Sequence, residues 1–193
     1  MKRKLKQPFE TLQEKQLLTI GTLFLLIFSF IAYYTNTRFD GVLDMHHIAN
    51  VLIHQPLLDN IVNTLCLGAC LFGLAYFVNP RTRWIDILAI ALICRIPLYF
   101  GTLFNINDIS LTTGNHLIEN LSTPSAIFDL PAINLIVLTL LTIYSLIALV
   151  LFCFLIYQGF KTATHAKKLS HILLLIPTVI LAEIISKALV YLY

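Results

Sequence analysis

Long apolar runs alternate with short polar stretches along the chain, and the runs at 17–34, 61–78, 84–104, 132–157 and 169–193 are long enough to cross a bilayer as helices. A helix needs about 20 apolar residues to cross roughly 30 Å of hydrocarbon. The pattern predicts an all-α fold, a polytopic integral membrane bundle of five transmembrane helices: residues 1–16 form a cytoplasmic N-terminal tail and 17–193 one membrane domain. The first run is longer than a signal-peptide core, and its exit Ala32-Tyr33-Tyr34-Thr35 lacks a small-residue cleavage pattern, so it reads as a retained helix. Between the first two runs, Met45, Ile48, Ala49 and Leu52 recur at helical spacing among polar residues. This predicts a short interfacial helix over 44–58 on the outer side. Residues 106–131, rich in Asn, Thr, Ser, Pro and Asp, read as loop.

Composition narrows the class. The chain is 58% hydrophobic and only 12% charged, with a mean hydropathy of +0.84. Soluble domains, disordered tails and nucleic-acid-binding domains cannot leave so much apolar surface in water. The bilayer is therefore the first partner, and nucleic acid is not one. Charge then sets the direction. With the N-terminus inside, the inner segments carry ten basic residues, Lys2, Arg3, Lys4, Lys6, Lys15, Arg81, Arg83, Lys161, Lys167 and Lys168, and the outer segments only Arg38. Positive charge beside span ends is held on the cytoplasmic side. Tyr33, Tyr34, Tyr76, Trp84, Tyr99, Tyr157, Tyr191 and Tyr193 fall near span ends, where aromatic rings anchor in the headgroup layer.

The candidate chemistry lies in charges inside the spans. Asp86 sits two residues past Trp84 and reaches the headgroups, and Lys187 can snorkel outward. Arg95 and Glu183 have no such escape, and a charge near the bilayer centre costs at least about 2.5 kcal/mol. Arg95 lies eleven residues into the third span and Glu183 fourteen into the fifth, depths of about 16 and 21 Å that place them near one level. Lys187 stands one turn beyond Glu183. An intramembrane cluster of Arg95, Glu183 and Lys187 is expected, either binding helices together or lining a path. Pro97 and Pro177 predict kinks beside it. Cys66, Ala69, Cys70 and Gly73 share one face of the second helix and predict close helix packing there. The His46, His47, His54, Asp40 and Asp44 group is too spread along a helix to hold one ion, so no metal is expected. No nucleophile elbow, phosphate loop or redox pair is present, which argues against an enzyme and against a cofactor.

The stretches NPRTRWIDILAIALICRIPLYFG and NLIVLTLLTIYSLIALVLFCFLIYQGFKTATHAKKLSHILLLIPTVIL join a basic loop to a span with Arg95-Ile96-Pro97, then a span with Tyr144-Ser145 and Gly159 at its inner end. This arrangement, over about residues 60 to 185, resembles the bacterial branch of the Yip1 family. The resemblance implies five spans with a cytoplasmic N-terminus and an outer C-terminus. It also implies a non-enzymatic membrane scaffold or assembly and trafficking-type factor of a bacterial cytoplasmic membrane, contacting itself or other membrane proteins. The Asp-Leu-Tyr-Gly-Pro-like motif that eukaryotic members use toward GTPases is missing, so GTPase binding is not implied. The alternative is a small transporter or channel subunit using Arg95 and Glu183.

Overall fold

The computed structural model describes residues 8–120, 130–166 and 168–193. Five helices are long and apolar enough to cross a membrane, as befits a membrane protein, and the architecture is all-α apart from one small hairpin. A short turn, α1 (Pro8–Thr11), precedes α2 (Glu14–Tyr34). The two-residue strands β1 (Thr37–Arg38) and β2 (His46–His47) pair antiparallel, Thr37 opposite His47 and Arg38 opposite His46. Then follow α3 (Gln55–Val78), α4 (Trp84–Cys94), α5 (Ile96–Tyr99), a 3-10 stretch (Phe100–Asp108) and α6 (Ile109–Glu119). The chain closes with α7 (Ala132–Thr164), α8 (Leu169–Leu173) and α9 (Leu175–Val190).

The α4 helix is the axis of the bundle. Ile87 and the whole run Ala89 to Cys94 are buried, as expected for a helix apolar on all sides and surrounded by others. α2, α3 and α7 pack around it, and α9 lies along α3. Gly159 permits the approach of α7, since a Cβ there would fall 2.7 Å from Ile90 Cγ1. The outer helices are lightly covered: only 11% of the most apolar window of α7 is buried, and 17% of that of α8–α9.

Both prolines mark breaks. Pro97 has no N–H to give the carbonyl four residues back, and α4 ends at Cys94 with Arg95 at the bend. Pro177 lies just past Leu174, where α8 gives way to α9. The bends leave two distinct ends. At one, the basic end, Arg83 bridges Glu14 and Asp86, and the Asn79 amide reaches the Thr164 carbonyl. At the other, the loop end, Asn36 joins Asp108 and Lys187 joins Asp44.

Two expectations are corrected here. Residues 44–58 do not form an interfacial helix: His46–His47 is strand, and helix begins only at Gln55. Of the apolar residues that suggested it, Met45 and Ile48 are half-buried and Ala49 and Leu52 exposed; the loop that turns into the bundle comes just before, with Phe39 2% and Val42 1% exposed. The backbone of 46–48 pairs with 36–38 instead, the Ile48 amide donating to the Asn36 carbonyl, which removes the need for a helical hydrogen-bond ladder. Within 106–131, Ile109–Glu119 is helical rather than loop. Buried Asn105 fixes this helix, accepting from the Leu111 amide and donating to the Thr35 carbonyl. Residues 121–129 lie outside the described residues.

Candidate functional site

The polar centre of the molecule is the loop 39–45 and the side chains that receive it. Phe39 N–H donates to Asp59, and the Phe39 carbonyl accepts from the Asn63 amide at 2.8 Å. The Val42 carbonyl accepts from Arg95 Nε at 3.3 Å, and the next amide, Leu43 N–H, donates to Glu183 Oε2 at 2.8 Å. Non-helical backbone buried in a bundle persists only where protein groups replace water. Asp59, Asn63 and Glu183 sit on helices and Arg95 at a helix bend, so the loop is held by α3, the α4–α5 bend and α9 together.

Arg95 is 1% exposed. Besides Val42 it donates through Nη1 to the Asn60 carbonyl, Thr64 Oγ1 and Tyr99 OH. Its guanidinium lies 5.2 Å from the Tyr99 ring centroid and 6.0 Å from that of Phe39, so cation–π attraction adds to the hydrogen bonds. All its hydrogen-bond acceptors are neutral, which is how a buried guanidinium is solvated without a carboxylate. Glu183 binds Leu43 N–H and approaches Lys187 Nζ at 3.5 Å, and Lys187 reaches Asp44 at 2.6 Å. Among the described residues no ion pair joins Arg95 to Glu183. The structure does bring Arg95, Glu183 and Lys187 to the same cavity, of about 410 Å³, whose other lining includes Asp44, Tyr144 and Ser145.

A second node closes the outer edge. Asp59 is fully buried and accepts from Arg38 Nε at 3.0 Å, Arg38 Nη2 at 2.8 Å and the Tyr193 hydroxyl at 3.1 Å. The bidentate carboxylate holds the Arg38 guanidinium above its ordinary pKa. Burial first, and then the Asp59 charge, push the Tyr193 phenol upward. In the hairpin, His46 pairs with Asp40, while His47 Nδ1 lies 2.9 Å from Thr37 Oγ1. Burial and the neighbouring His46 push His47 down to about 4, so it is neutral at pH 7.

Several residues took roles the sequence reading did not give them. Tyr99 is no headgroup anchor: it is fully buried against Arg95. On α3, Asn60, Asn63 and Thr64 are buried polar groups at one level, and polar residues inside spans ordinarily face the bundle. That stripe is the signal that could have revealed them. The predicted small-residue face is largely open within the chain, with Cys66 and Cys70 half-buried and Ala69 and Gly73 exposed. Leu67, Gly68, Leu71 and Ala75 make the buried face instead.

No protein-family model, curated protein or solved structure matches the chain.

Proposed function

We propose that the chain is a multi-pass protein of a bacterial cytoplasmic membrane, its basic end in the cytoplasm, acting as a non-enzymatic scaffold or assembly factor of the Yip1 type. The observation that carries the reading is where the buried charges go. Arg95 donates through Nε and Nη1 to backbone carbonyls and neutral hydroxyls, and Glu183 accepts from a backbone amide, all within one chain. Charges so engaged knit a bundle and stay put. The apolar surface of α7 and α9 supports the same reading: it is the surface that lipid or a partner helix would cover. A second reading, a small transporter or channel subunit, draws on the cavity that Arg95, Glu183 and Lys187 line.

Two measurements test the proposal. In a chain with its native cysteines replaced, an impermeant thiol reagent applied to intact cells should label Asn115→Cys and not Lys168→Cys; the reverse would invert the orientation. Photoreactive residues at Ile143 and Ile184, both exposed on the outer helices, should yield discrete protein adducts in intact membranes. Adducts to lipid alone would end the scaffold reading.

A further inference from the structure

The cavity of about 410 Å³ lies between α7 and α9, with Tyr144, Ser145, Ala148 and Leu149 on one wall and Glu183 and Lys187 on the other. Those helices share little direct contact, so their wall is a cleft rather than a seam. Ser145 and Leu149 are exposed, which opens the cleft sideways, toward the acyl chains if the bundle is in a bilayer. Its size is in the range of pockets that hold small organic ligands, roughly 300–1,000 Å³.

Its charge is balanced in a particular way. Two cations, Arg95 and Lys187, and two carboxylates, Asp44 and Glu183, line one cavity, and Lys187 already pairs with Asp44 and approaches Glu183, so the lining is neutral as a whole. Arg95 still has donors to offer: Nε and Nη1 are engaged, whereas Nη2 makes no hydrogen bond among the described residues, although the side chain is 1% exposed. An anion alone would meet Asp44 and Glu183, and a cation alone would meet Arg95 and Lys187. A head carrying both signs meets each with its opposite. Lys187 lies about 5 Å below the end of α9 and Glu183 about 10 Å, the depth of the headgroup–acyl boundary.

We infer that this cleft binds a zwitterionic phospholipid of the ethanolamine type, entering sideways from the outer leaflet, with phosphate or ester oxygens on Arg95 and Lys187 and the ammonium on Glu183 and Asp44. The inference rests on the membrane setting proposed above. The two fail separately, because thiol labelling reads orientation in cells and the following assay reads binding in purified protein.

The full chain, purified in mild detergent, is examined by native mass spectrometry with equal amounts of phosphatidylethanolamine and phosphatidylglycerol. Phosphatidylethanolamine should be retained at least about tenfold better, the worth of one charge-assisted hydrogen bond. Leu149→Trp and Ser145→Trp narrow the mouth without touching the loop contacts, and both should abolish the preference while leaving the melting midpoint in place. Soluble phosphoethanolamine, the head without chains, should fail to displace the lipid at millimolar concentration. Equal retention of the two lipids, a preference for phosphatidylglycerol, a preference that survives both tryptophans, or displacement by phosphoethanolamine would each overturn the assignment.

Discussion

Arg95 and Glu183 hold the two poles of one peptide group: the guanidinium takes the Val42 carbonyl, and the carboxylate takes the amide of Leu43 across the same bond. The opposite charges thus act through a polarised peptide instead of touching.

That arrangement predicts how the pair responds to mutation. Arg95→Leu removes four buried hydrogen bonds and should cost about 3–5 kcal/mol. Glu183→Leu strands one amide and should cost about 1–3 kcal/mol. Charges on the order of 8 Å apart at an effective dielectric near 20 attract by about 2 kcal/mol. The double variant should therefore be less stable than either single one, but short of their sum by about 1–2 kcal/mol. Chemical unfolding in detergent micelles measures this, and full additivity would show that the peptide carries no coupling.

Gly41 supplies an independent check on the same contact. A Cβ there would sit 2.6 Å from the Glu183 carboxylate carbon, so Gly41→Ala should push the carboxylate off Leu43 and cost about 1–3 kcal/mol. In a Glu183→Ala background the obstructing group is absent, and Gly41→Ala should then cost under about 0.5 kcal/mol. An equal loss in both backgrounds would place the constraint on the backbone.

Asp59 gathers the loop end. Asp59→Asn keeps the shape but leaves Arg38 half-buried and without its anion, at a cost of about 3 kcal/mol. Tyr193→Phe removes a single hydrogen bond and should cost about 1 kcal/mol. Comparing melting midpoints of the two variants tests the ranking; a larger loss from Tyr193→Phe would contradict it.

His47 predicts a pH dependence. Its folded pKa lies near 4, below the ordinary 6.5, so the unfolded chain binds the extra proton first. Stability from the neutral ring is present in full above about pH 6.5 and is lost as pH falls toward 4. Around the ring, His46 opposes protonation and Asp108 favours it. The melting midpoint should fall between pH 7.5 and 5, and His47→Gln should flatten that fall. An unchanged slope would assign the effect to other groups.

The sequence discloses the long helices and the three charges within the apolar runs because each is a strong local signal: twenty apolar residues in a row, or one charge among them. The loop 39–45 is another matter. Met45, Ile48, Ala49 and Leu52, at its end and beyond, recur at helical spacing although Ala49 and Leu52 are exposed, and what stabilises the loop lies on Asp59, Asn63, Arg95 and Glu183, far off in sequence. The α6 helix is missed for a similar reason, since Ser110, Thr112, Thr113, Gly114 and Asn115 are weak helix formers, and what holds them lies in buried Thr113 and in Asn105 gripping Leu111. On α3 nearly every position of the span is apolar, so residue size pointed to Ala69 and Gly73. The polar stripe Asn60, Asn63, Thr64, continued through Leu67 and Leu71, marks the buried side.

The bond from Leu43 to Glu183 spans 140 positions of the chain, and this gives biogenesis a clock. A ribosome making a membrane protein releases its segments in order, so the loop behind α2 is in place long before α9 exists. Until then Leu43 and Asp44 lack their partners and Arg95 has only half of its peptide-mediated counterion. Arrival of the last helix is the event that seals the first loop. A nascent chain stalled before Leu169 therefore leaves the Leu43 amide and the Asp44 carboxylate without these partners.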